Sequence, residues 1–238
     1  AVVGVWGEPD PPDLRDLQRA VEDFDLFVRC IGVGPQFNVI PYDPSAPLHE
    51  RYQVAQGFVT PAEQSLLEDI TLTINAFFGW DFNSCEALRQ DGRWHPIDFA
   101  NACPDSQVTS LHFHFPWLIK ANLRWSIFCA ATDRAMKTDL NWGEYFAIAD
   151  SDRSFEEKMA GYVALARARF DVDAFEEFCA THLPHLDEVA HEFFATETVQ
   201  DAIREKVAAL YPEHEIDAFC ELFWNRIQHS RQVEGPNA

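Results

Sequence analysis

The sequence predicts an α+β protein: an antiparallel sheet with helices over residues 1–115, then a mainly α-helical region over 116–238. Three observations carry this expectation. Short apolar runs bounded by Gly, Pro and Asp fill the first part, and an Asp91-Gly92 turn signal separates two strand-like segments. From Pro116 onward apolar residues recur at spacings of three and four, and turn signals become sparse.

Taken in order, Ala1–Gln18 reads as a strand end, a Pro and Asp turn and a brief helix. "DLFVRCIGVG" is a strand ending at Gly32 and Gly34, and "NVI" is its antiparallel partner across a Gly34-Pro35-Gln36 turn. The proline-rich "PYDPSAPLHERY" is a loop with Tyr42, His49, Arg51 and Tyr52 interleaved. Thr60 as cap, Pro61 at the first helical position and Glu63 as the return partner of a capping box open a helix. Leu66, Leu67, Ile70, Ile74, Phe77 and Phe78 keep helical spacing until Gly79 stops it. Strands near 83–89 and 94–100 flank Asp91-Gly92, and helices are expected over 117–131, 154–169, 172–181, 185–195, 197–209 and 213–230.

Composition narrows the function classes. The chain has 238 residues, 47% of them hydrophobic and 13% aromatic, enough to fill the core of one large domain or two small ones. Lys plus Arg number 18 against 39 Asp plus Glu, a net charge of -21, so the long-range field opposes nucleic acid and anionic membranes. An anionic ligand therefore requires a local cation. The cysteines at 30, 85, 103, 129, 179 and 220 form no CxxC pair, which fits reduced thiols in a cytoplasmic protein rather than a zinc ribbon or a disulfide scaffold. No apolar run reaches the roughly 18 residues of a membrane span, and no basic, apolar signal segment opens the chain. A first residue of alanine points to processing or to a fragment.

The segment "CEALRQDGRWHPIDFANACPD" holds two acids and an asparagine that could meet on one hairpin. Magnesium takes oxygen ligands, commonly one or two carboxylates together with phosphate oxygens. Parity tests whether Glu86 and Asp98 share a face. A two-residue turn at Asp91-Gly92 pairs Glu86 with Ile97 and sends Asp98 to the opposite face, so the metal reading needs a three-residue loop or a bulge. Pro96, with no N–H for the ladder, favours an irregular second strand. The plainer alternative is that both acids are solvent-facing residues of an ordinary hairpin.

Read together, "FVRCIGVG" and "VTPAEQSLLEDITLTINAFFGWDFNSCEALRQDGRWHPIDFANACPD" resemble the C-terminal half of an ATP-grasp domain, as found in glutathione synthetase and ribosomal-protein glutamate ligases. The resemblance covers roughly residues 14–110 and rests on the order of its pieces: an arginine-bearing strand, a helix, a strand with an acid, a DG turn, and an acid followed by N-x-x-P. It implies that Glu86 and Asp98 are metal-binding acids, that Asn101 is the asparagine ligand, and that Arg29 faces the transferred phosphoryl group. It also implies that the backbone of Leu17–Val21, through Gln18, Arg19, Ala20 and Val21, holds adenine. The implied cofactors are ATP and Mg2+, and the implied substrates are a small-molecule or peptide carboxylate and an amine, joined through an acylphosphate.

Two features depart from the family pattern. Asn101 follows Asp98 by three residues where two are usual, and the first lysine is Lys120, although the family takes phosphate-binding lysines from the preceding subdomain. The expectation is a C-terminal portion of a ligase, inactive alone and completed by an upstream segment or a partner chain. The alternative is a non-catalytic remnant that serves as a protein-interaction scaffold.

Other constellations are weaker. His112 and His114 would share a face on a strand, Glu188 and His191 carry the E-x-x-H spacing of di-iron bundles without a second copy, and His49, Glu50 and Arg51 could touch a substrate. A packed histidine pair, a polar helix face and a solvated loop are the plainer readings of the three. The aromatic positions after Trp117 fall mostly at helical intervals and read as core.

Overall fold

A computed structural model describes residues 21–102 and 104–233, so the reading of Ala1–Gln18 lies outside the described residues. Strands β1 (Leu26–Val33) and β2 (Gln36–Pro41) form a hairpin, and β3 (Phe82–Gln90) and β4 (Arg93–Asn101) form another. They join into one antiparallel sheet of order β2-β1-β3-β4. The first turn is tighter than expected: Val33 pairs with Gln36, leaving only Gly34 and Pro35 between the strands. Gly34 has φ +54°, and an added Cβ would lie 2.5 Å from the Trp125 indole, so close helix packing as well as the turn demands glycine.

Helix α1 (Pro61–Phe78) begins and ends where its sequence signals lie. Glu63 N–H donates to Thr60 Oγ1 at 3.2 Å, Thr60 N–H donates to Glu63 Oε2 at 2.8 Å, and Gly79 closes the helix in the left-handed conformation. Leu67 of α1 packs on Val28 and Ala87, which covers one face of the sheet. Arg89 of β3 fastens this face to α1 by pairing with Glu63, and it also pairs with Asp25, both at 2.8 Å. With its bonds to Thr60 and Arg89, the Glu63 carboxyl is held down to about 2.

The rest is helical: α2 (Val108–Leu111), a 3-10 turn at His112–His114, α3 (Phe115–Ala131), α4 (Trp142–Ala149), α5 (Phe155–Phe170), α6 (Val172–His182), α7 (Leu186–Phe194), α8 (Glu197–Ala208), α9 (Ile216–Gln228) and α10 (Ser230–Val233). Helix α4 escapes the periodicity argument because it is short and held from outside. Trp142 stacks on Phe77 at 5.6 Å and donates its indole N–H to the Phe77 carbonyl at 2.8 Å.

Burial links the sheet to the helices. One buried cluster joins Ile31, Val33 and Ile40 of the sheet with Trp117, Leu118 and Trp125 of α3 and with Phe170 and Phe175 of α5 and α6. A hydrophobic core thus runs across position 115, where the sequence places a change of character. A second cluster, built on Phe194, Ile203, Val207, Phe223 and Ile227, binds α7, α8 and α9, and Phe115 packs against both clusters.

Gly34→Ala should therefore destabilise the protein by about 2–4 kcal/mol, combining a left-handed residue with overpacking against Trp125. Urea unfolding checks this; a midpoint equal to that of the unsubstituted protein would show that α3 does not press on the hairpin.

Candidate functional site

The face of the sheet opposite α1 carries the residues singled out by the sequence. Arg29 sits on the central strand β1, paired with Ile40 of β2 on one side and with Glu86 of β3 on the other, and Glu86 pairs with Asp98 of β4. Arg29, Glu86 and Asp98 thus form one row across three strands.

The row depends on irregular pairing in β4. The hairpin turn is the two-residue kind, with Gln90 opposite Arg93 and positive φ at both Asp91 and Gly92. Regular pairing continues to Ala87 opposite Pro96, where a shift then admits Ile97 as an extra residue, so that Asp98 meets Glu86. Of the two routes the parity argument allows, the structure takes the bulge. A second shift follows, and the extra residue between Asp98 and Asn101 is absorbed as β3 advances by two residues and β4 by three, placing Asn101 opposite Ser84. The carbonyl of Phe99 accepts from Asn83 Nδ2 at 3.1 Å, and the same amide donates to Asn75 Oδ1 at 2.8 Å. A side-chain donor from β3, itself anchored to α1, thereby holds the bulged segment.

Arg29 is 8% exposed, and its surroundings explain how a charge persists there. Its Nη2 forms an ion pair with Glu86 Oε1, and its Nη1 donates to the Tyr52 hydroxyl at 2.5 Å. The guanidinium carbon lies 4.9 Å from the centre of the Tyr42 ring and 5.5 Å from that of Tyr52. Burial pushes the Tyr52 phenol up to about 12, so it stays neutral and accepts the bond. Among the described residues the Arg29 Nε–H has no hydrogen-bond partner. Asp98 is exposed and lies outside the ion pair; its charge adds to the rise of the Cys85 thiol, which burial chiefly pushes up to about 12. The bulged strand therefore brings Asp98 into register with Glu86 without locking its carboxylate to Arg29.

Of the expected adenine-binding segment, Val21 alone is described, and Gln18, Arg19 and Ala20 lie outside the described residues. Glu22, next in the chain, accepts from the Gln90 side chain and so lies by the tip of the β3-β4 hairpin. Tyr42 and Tyr52, which complete the Arg29 environment, were visible in the sequence only as aromatics interleaved in a proline-rich loop. Their bridge to one another closes that loop at its base.

The histidine pair is not on a strand. His112 and His114 lie in a 3-10 turn, both buried, and burial holds them neutral by pushing His112 down to about 3 and His114 down to about 4. His114 Nε2 donates to the Gln53 carbonyl at 3.0 Å, and Asn38 Nδ2 lies 3.4 Å from its Nδ1, so the ring joins β2 to the end of the tyrosine loop. His49 presents its carbonyl to Arg226 at 2.5 Å and Arg51 donates to the Ala46 carbonyl at 3.1 Å, contacts that hold the loop together. Glu188 and His191 stand exposed on α7, and among the described residues no group of three or more His, Cys, Asp and Glu could hold a metal ion.

Comparison with known protein families, with curated proteins and with solved structures gives no match.

The two histidines give a testable pH signature. Their folded pKa values lie below the ordinary 6.5, so the unfolded chain takes up protons first, and stability present above about pH 6.5 is lost as pH falls toward 4. His114→Gln should reduce the loss between pH 7 and pH 4 by on the order of 3 kcal/mol, read from urea unfolding across that range. Parallel pH profiles for the two proteins would refute the assignment.

Proposed function

We propose that this chain is the C-terminal portion of an ATP-dependent carboxylate-amine ligase of the ATP-grasp kind. The observation that carries the reading is the row of Arg29, Glu86 and Asp98, with both acids opposite one another despite a two-residue turn. Like charges directly opposite on a ladder are unfavourable. A pairing obtained through a bulge therefore calls for a use, and a cation is the simplest one.

Two carboxylates suit a magnesium ion that draws the remainder of its shell from water and phosphate oxygens. Glu86 and Asp98 would hold it, and Asn101 at its register position would assist. Bound there, magnesium would offset phosphate charge during phosphoryl transfer. In the reaction, an oxygen of the substrate carboxylate attacks the terminal phosphorus of ATP and ADP leaves; an amine then attacks the acyl carbon and inorganic phosphate departs, leaving an amide. The chain's own contribution is electrostatic: Arg29 places a fixed positive charge beside the phosphoryl group, in surroundings where burial strengthens it.

A second reading, a non-catalytic remnant that acts as a scaffold for another protein, is favoured by one observation. Lys120, the first lysine of the chain, is buried and paired with Asp187 at 2.9 Å between α3 and α7, directed to the fold rather than to a nucleotide. The ligase reading therefore includes an upstream segment or a partner chain that supplies phosphate-binding lysines.

Calorimetric titration with Mg2+ and a non-hydrolysable ATP analogue tests the proposal, using the protein together with any such segment or partner. Glu86→Ala and Asp98→Ala should each weaken analogue binding at least about tenfold, as expected for lost charge-assisted contacts. Unchanged binding in both variants would sink the ligase reading. Asp98→Asn should meanwhile raise stability by about 0.2–1 kcal/mol by relieving like-charge repulsion.

A further inference from the structure

The Arg29 guanidinium has two edges, and the structure uses them differently. Nη1 points to the Tyr52 hydroxyl at 2.5 Å. Nε and Nη2 share the other edge, the planar fork that matches two oxygens of a phosphate or carboxylate. Half of that fork is taken by Glu86, and the other half, the buried Nε–H, has no hydrogen-bond partner among the described residues. Glu86 cannot give its full charge both to Arg29 and to a divalent cation. Were a cation to draw the carboxylate away, something else would have to keep the guanidinium in place.

We propose that Tyr52 is the positioning residue of Arg29, holding it by the far edge while the Nε/Nη2 fork exchanges Glu86 for an anionic oxygen pair of the phosphate-bearing ligand. The inference rests on the ligase reading and names a part of its site which the sequence did not. Three features of Tyr52 suit the role. It is 2% exposed, so its hydroxyl is fixed. Its ring and that of Tyr42 flank the guanidinium and retain it by cation–π attraction when the ion pair opens. The Tyr42 to Tyr52 bridge closes the loop, and the bond from His114 to the Gln53 carbonyl holds the next residue. Divalent cation and phosphate thereby become coupled ligands: the cation frees the fork, and the anion then occupies it.

Tyr52→Phe keeps the ring and removes the hydroxyl. With the protein together with any upstream segment or partner chain that completes it, Mg2+ and adenylyl imidodiphosphate, the variant should bind the analogue about tenfold more weakly. That loss should vanish in an Arg29→Gln background, because a residue that acts through Arg29 has nothing left to position. The Arg29 Nε–H signal, identified in nitrogen-15 spectra by its absence from Arg29→Gln, should shift when Mg2+ and the analogue are added together. Absence of that shift in the unsubstituted protein overturns the proposal without reliance on any variant. If Tyr52→Phe binds as tightly as the unsubstituted protein, or keeps its full loss in the Arg29→Gln background, the positioning role falls, while a loss of binding in Glu86→Ala leaves the ligase reading standing. Binding that ignores Glu86, Asp98 and Arg29 alike overturns both.

Discussion

The guanidinium of a residue only 8% exposed needs a counter-charge within reach, and much of this structure is organised around meeting that need for Arg29. Glu86 supplies the charge from the adjacent strand, the Tyr52 hydroxyl takes a second donor, and two aromatic rings flank the cation. Removing one member of such a buried pair leaves an uncompensated charge at a cost of about 3–5 kcal/mol. The requirement reaches well beyond the pair. It sets β1 against β3 in one register and draws the base of the proline-rich loop to the sheet; through Gln53, His114 and Asn38 it also links that loop to the start of α3 and back to β2.

The same arrangement suits the proposed chemistry. A net charge of -21 repels polyanions at a distance, so a phosphate-bearing ligand must be received by local cations. Arg29 is one, and a metal ion on Glu86 and Asp98 would be another. The two acids have different environments here: Glu86 is enclosed with its counter-ion, whereas Asp98 stands at the solvent-facing edge on a bulged strand. A ligand entering from solvent would meet Asp98 before Glu86. The two buried histidines are neutral because water is excluded from them.

Local signals in the sequence proved readable where one stretch of chain contains its own reason. The capping box of α1 satisfies its orphan backbone groups with residues three apart, so Thr60, Pro61 and Glu63 announce it without reference to the rest of the molecule. The Asp91-Gly92 turn belongs to the same class, since both residues accept the positive φ that a tight hairpin requires. Helix α4 belongs to the other class. It is anchored by Trp142 against Phe77, a partner 65 residues away, and nothing in its own periodicity announces that contact. The histidine pair likewise took its meaning from burial, which no local pattern discloses.

The sequence alone placed Arg29, Glu86 and Asp98 on strand segments, put the two acids on one hairpin and stated the condition for them to meet, because side-chain direction in a strand has a period of two. That the Arg29 strand lies beside the Glu86 strand was decided by the tertiary structure. The sequence could not choose between a longer turn and a bulge. Tertiary structure made that choice: the buried Asn83 amide, held by Asn75 of α1, takes the Phe99 carbonyl and stabilises an irregular β4 that a regular ladder would exclude. Tertiary structure also brought Tyr42 and Tyr52 to the guanidinium. A loop residue's role depends on what its distant neighbours must bury, and here they bury a charge.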